Sequence, residues 1–158
     1  MPLGGIITIL VLLPNLLVLF YPPVEAPSPS NQKKTVLTRV MEVLERVGQV
    51  GSFGIPFFYA LGFDLSDSEI QISLAMMVLA LGFYYAGWAR YLLKGHRFEL
   101  LYKPLLRFPL PMAVSPVIFF LAASILLQSV YLALAALALG VGHIYVSYFE
   151  LKRVTAKF

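Results

Sequence analysis

The sequence predicts an all-α fold, an integral membrane bundle of five transmembrane helices, as one membrane domain over residues 1–158. Three observations carry that expectation. Of the 158 residues, 59% are hydrophobic and 13% charged, against roughly 45–50% and about 25% in soluble domains. Five segments reach or approach the ~20 apolar residues that a membrane-crossing helix needs. All 12 lysines and arginines fall on one side of those segments. The same composition excludes a disordered chain, which requires low hydrophobicity and high charge.

The expected spans cover about 3–21, 48–63, 70–93, 109–127 and 129–149. Lys33, Lys34, Arg39 and Arg46 lie between the first two. Arg90, Lys94, Arg97, Lys103 and Arg107 surround the junction of the third and fourth, and Lys152, Arg153 and Lys157 follow the fifth. The positive-inside rule makes that side cytoplasmic, with the N-terminus outside and the C-terminus inside. Asp64, Asp67 and Glu69 fall on the outer side. Dropping the short second span would move the Arg90–Arg107 cluster outside and break the rule. The first span has no basic residue before it and is long for a signal sequence, so an uncleaved helix is expected.

Each element has its own signals. The first span carries Pro14 and Asn15, a polar side chain at membrane depth that needs a partner. Residues 22–34 form a linker with prolines at 22, 23, 27 and 29. Residues Asn31 to Thr35 offer helix-capping side chains. Val36, Val40, Val43, Leu44 and Val47 then recur at helical spacing. They predict an amphipathic helix continuous with span two. That span holds Gly48, Gly51 and Gly54 on closely spaced turns, which suits tight packing, and Pro56, which removes a helix hydrogen bond.

In span three, Tyr84, Trp88 and Tyr91 form an aromatic stripe, and Arg90 shares a face with Phe83, Gly87 and Lys94. Residues His96 to Met112 mix cations with aromatics and predict an interfacial segment broken by Pro104, before a fourth span containing Pro116. In span five, Ala136, Gly140, His143, Ser147 and Glu150 share one face. That face is small toward the outside and polar toward the cytoplasm.

Chemistry is then sought by exclusion. There is no cysteine and there are two histidines, so no metal site and no cofactor are expected. Nucleotide-binding and hydrolase motifs are absent, and no carboxylate falls inside a span. The basic residues flank apolar spans, so nucleic acid is not an expected partner. The leading expectation is binding of an anionic lipid headgroup or small anion at the cytoplasmic face. Arg90, Lys94, Arg97, Lys103 and Arg107 would contact the anion, and His143 and Glu150 would line the polar end of the bundle. Arg90 could instead pair with Glu45 or Glu150. A second expectation is an intramembrane enzyme on a lipid or isoprenoid substrate, with His143 as general base and Glu150 as its partner. The third is a homo-oligomeric transporter or channel, with the glycines of span two or the small face of span five between subunits. The expected setting is a prokaryotic plasma membrane, with membrane lipids as partners.

Overall fold

Helix α1 covers Gly5–Asn15 and is followed at once by the one-turn helix α2, Leu17–Phe20. The remaining α-helices are α3 (Val36–Gly54), α4 (Ser68–Leu93), α5 (Pro111–Leu126) and α6 (Val130–Thr155). The computed structural model describes residues 4–26 and 35–155. Among these residues there is no strand, only isolated bridges of Val24 with Arg97 and Leu105 with Phe108. The expected all-α architecture is present. Helices α4 and α6 are long and apolar enough to cross a membrane, while Gly5–Phe20 and α5 are shorter apolar helices.

Helix boundaries follow local chemistry. Thr35 caps α3, its side chain accepting a hydrogen bond from the Thr38 N–H at 3.2 Å. The amphipathic stretch and the first part of span two are one helix, because nothing between Val47 and Gly48 interrupts the backbone bonds. Pro56 ends that helix in a 3₁₀ turn over Ile55–Phe58. The expected second span at 48–63 is therefore helical only to Phe58 and extended beyond it. Asp67 caps α4 by accepting from the Glu69 N–H at 2.8 Å. In the segment before α5, Phe98–Leu101 forms a 3₁₀ turn. His96, Leu106, Arg107 and Leu110 there all have positive φ, a conformation costly for a side chain bearing Cβ. Of the expected linker, residues 27–34 lie outside the described part. Val24 is held by two backbone bonds, donating to His96 at 2.8 Å and accepting from Phe98 at 3.1 Å.

Those contacts define two ends of a bundle. At one, the Gly4 N–H bonds the Tyr59 carbonyl, and the Ser129 hydroxyl bonds the Tyr59 hydroxyl. This end gathers the start of α1, the chain after α3 and the α5–α6 turn. At the other, Val24 meets the segment after α4, and Tyr102 lies in the fields of Glu45 and Glu150. Successive long helices therefore run in alternating directions. The helix ends that carry Arg39, Arg46, Arg90, Lys94, Lys152 and Arg153 all belong to the second end.

The core lies between α4, α5 and α6, with Tyr91, Phe120, Ala123, Leu132 and Ala136 fully buried. Helix α3 packs along α6 at unusually close range. A Cβ added to Gly48 would fall on the Leu139 backbone, and one added to Gly142 would fall on the backbone of Met41 and Glu45. Small residues permit that approach, which brings a large area of backbone into contact. Outward faces are apolar: Val40, Val43, Val47 and Val50 on α3, Ile72, Val78 and Leu79 on α4, and Leu134, Leu137 and Val141 on α6 are all exposed.

Candidate functional site: a cavity beside the α3–α6 seam

A cavity of about 400 Å³, partly open at its mouth, lies among the helices. Every long helix contributes to its wall. Val11 and Asn15 come from α1, Gln49 and Phe53 from α3, Tyr84 and Trp88 from α4. Met112, Ala113 and Pro116 come from α5, and Leu139, His143 and Ser147 from α6. Leu101 and Tyr102 close it from the segment before α5. The volume lies within the range of small-molecule sites, roughly 300–1,000 Å³. Its wall is mostly apolar with a few convergent polar groups, the usual character of such sites.

Those polar groups are held by defined partners. His143 Nδ1 is 2.6 Å from Glu45 Oε1. The close seam makes this contact, since Gly142 lets the α3 backbone approach at Glu45 itself. Both side chains are largely covered, at 27% and 16% exposure. His143 Nε2 makes no hydrogen bond among the described residues. A carboxylate on one ring nitrogen fixes the imidazole's orientation and leaves the other nitrogen for a ligand.

On the opposite wall, the Tyr84 hydroxyl donates to Asn15 Oδ1 at 2.9 Å, and the Asn15 amide donates to the Val11 carbonyl at 3.1 Å. Asn15 thus finds the partner that its depth in span one demands. Trp88 is 4% exposed and its indole Nε1 has no hydrogen bond of ordinary geometry, although it lies near the Tyr84 oxygen. Tyr102 is the polar group nearest the charged end. Burial, reinforced by the charges of Glu150 and Glu45, pushes its hydroxyl up to about 12. It therefore remains a neutral donor at any physiological pH.

The residues expected from sequence are distributed differently. Of the seven, only His143 lines the cavity. Arg90 points its guanidinium into the following segment, donating to the carbonyls of Leu100, Lys103 and Pro104 at 2.7, 2.7 and 2.6 Å. It pairs with neither Glu45 nor Glu150. Arg97 lies 3.8 Å from Glu25 and 3.2 Å from Glu99. Lys103 donates to Glu99 at 2.7 Å. That hydrogen bond, with the charges of Lys103 and Arg97, holds the Glu99 carboxyl below the usual range. Glu150 accepts from Arg153 at 2.6 Å. Lys94 and Arg107 are exposed.

Glu45, not Glu150, is the acid that meets His143. Glu45, Asn15, Trp88 and Tyr102 were not among the expected site residues. For Glu45 a signal existed: it shares with Gly48 and Ser52 a face at i, i+3 and i+7, both of which are buried. A carboxylate that extends a small-residue packing face needs a partner on the helix opposite.

Of the small residues expected between subunits, several are covered within the chain, while Gly54 meets open space. Gly48 and Gly51 lie against α6, and Gly140 against Val117 of α5. Among the described residues no group of three or more His, Asp and Glu side chains could hold a metal ion. Comparison of the chain with protein-family models, with curated proteins and with solved structures finds no match.

Proposed function

We propose that this chain is a five-span membrane protein, with its N-terminus outside and its C-terminus in the cytoplasm, that binds a membrane amphiphile inside the bundle. One observation carries the binding: a mostly apolar cavity of about 400 Å³ with polar groups from α4, α6 and the segment before α5. The exposed valines and leucines of α3, α4 and α6 support immersion in lipid, because soluble monomers rarely expose such continuous apolar faces. The basic end supports a cytoplasmic orientation. Its exposed cations, Lys94 and Arg107, are placed to lie against anionic headgroups of the surrounding bilayer. This changes the role of the basic cluster. Arg90, Arg97 and Lys103 shape the segment that closes the cavity, and the bilayer surface is met by the remainder.

Native mass spectrometry of protein released in mild detergent tests the binding. We expect a retained amphiphile that is lost in Ala113→Phe, which fills the cavity from α5. Folded protein that carries nothing under any release condition would overturn it. The span count has its own test, helped by the absence of cysteine. Arg39→Cys and Ser66→Cys flank the second span and should be labelled by an impermeant maleimide from opposite faces. Labelling from the same face would remove that span.

A second reading, an intramembrane enzyme, is favoured by the Glu45–His143 contact at 2.6 Å with Nε2 unengaged. Glu45 would orient the ring and Nε2 would take a proton from a bound hydroxyl or water. Turnover of the retained amphiphile, abolished in His143→Gln with folding and retention intact, would establish it.

A further inference from the structure

The charge pattern around the cavity narrows the ligand, and this step rests on the cavity being a binding site as proposed above. None of its wall residues is Lys, Arg, Asp or Glu. The nearest cations are already matched by oxygens. Arg90 is held by three carbonyls, Lys103 by Glu99 and Arg153 by Glu150. Directly behind His143 stands the Glu45 carboxylate. Whichever partner holds the proton, the Glu45–His143 pair carries no net positive charge. An anionic head placed there would face the Glu45 carboxylate without a counter-ion of its own, which disfavours it.

Two donors of the wall could take a ligand oxygen. Trp88 Nε1 is buried and makes no ordinary hydrogen bond, and Tyr102 stays protonated. A buried donor without a partner is destabilising, and a ligand oxygen would satisfy it. The volume suits one chain with a small head, not the two chains of a phospholipid. We infer that the cavity takes a neutral single-chain amphiphile, its hydroxyl or carbonyl head set between Trp88, Tyr102 and His143. This departs from the anionic headgroup that the basic cluster suggests.

The chain has one tryptophan, and it is in the cavity wall. Its fluorescence therefore reports occupancy directly. The protein in nanodiscs is titrated with a monoacylglycerol brominated on its acyl chain, and separately with a lysophosphatidic acid carrying the same brominated chain. Bromine quenches on contact, and Trp88 is shielded from bulk lipid by its 4% exposure. We expect saturable quenching by the neutral probe, reversed by unbrominated monoacylglycerol, and roughly tenfold or weaker binding of the anionic probe. Saturable quenching of equal strength by both probes would overturn the neutral head and leave the cavity site standing. Quenching by neither, or only in linear proportion to lipid, would overturn the site itself. Ala113→Phe should abolish the saturable component for the neutral probe. If that variant fails to fold, Ala113→Leu serves. Glu45→Gln keeps a hydrogen bond to His143 without the charge and should narrow the gap between the probes. An unchanged gap would overturn the role of the Glu45 carboxylate in repelling anions.

Discussion

Between α4 and α5, Arg97 and Lys103 find oxygens on Glu99 and Glu25, and Arg90 of α4 reaches carbonyls of that same segment 10 to 14 residues on. Across α3 and α6, one carboxylate meets one imidazole from 98 residues away. The first region is dense in charge and consumes it locally. It holds a strained segment in shape, with Arg90 threading three carbonyls that no helix or strand would satisfy. The second region sets a single carboxylate–imidazole contact into a close-packed seam, and the imidazole lines a cavity. Density of charge marked a structural clamp. A solitary polar group on a close-packed face marked the site.

This contrast can be broken most forcefully at the seam. Gly48→Leu would drive a side chain into the Leu139 backbone, which cannot move aside as a side-chain tip can. We expect loss of about 3 kcal/mol or more, beyond the common range for overpacking. Gly54→Leu on the same helix meets open space and should cost far less. Thermal unfolding in detergent compares the two. Equal effects would mean that the close approach of α3 and α6 is not what makes the seam.

The clamp comes next. Arg90→Ala leaves three carbonyls without their donor and should cost about 2–3 kcal/mol, since the segment is partly open to water. Proteolysis within residues 96–110 should rise with it. Arg90→Lys keeps the charge but not the planar fork, so it should recover only part of the loss. Full recovery by lysine would show that charge, and not the fork, organises the segment.

The smallest effect belongs to Glu99. Its folded pKa is depressed below the ordinary 4.5. Its contribution is therefore fully present above that value and is lost as pH falls through the folded pKa. The melting temperature should drop more steeply on acidification in the parent than in Glu99→Gln. Parallel acid limbs would remove Glu99 from the set of stabilising acids in this region.

Much of the fold was legible because apolar runs and capping residues act locally. Thr35 and the start of α3 and the long α4 at Ser68–Leu93 follow from neighbours in sequence, whereas Pro56, expected to kink a span running to 63, ends the helix instead. The continuity of α3 through Val47 and Gly48 was equally local. The site was less legible because its contacts are not. His143 stood out as a lone polar group, yet its choice between Glu45 and Glu150 depends on how α3 lies against α6. Arg90 could not be read as a clamp, because its partners are backbone carbonyls, which every residue has. The backbone of the segment after α4, with positive φ at His96, Leu106, Arg107 and Leu110, carries no glycine signal at those positions.

Helix α1 is joined to the bundle almost wholly by residues made much later. Thr8 donates to the Phe53 carbonyl 45 residues on, Asn15 accepts from Tyr84 69 residues on, and the Leu10 carbonyl accepts from Tyr85 75 residues on. On the five-span reading, α1 would stand in the bilayer without those bonds until the next two spans are synthesised. Its amide at Asn15 is meanwhile satisfied on Val11, one turn back. The place of α1 thus depends on helices that follow it in the chain, and on that reading its insertion would be a process of capture more than of sequential stacking.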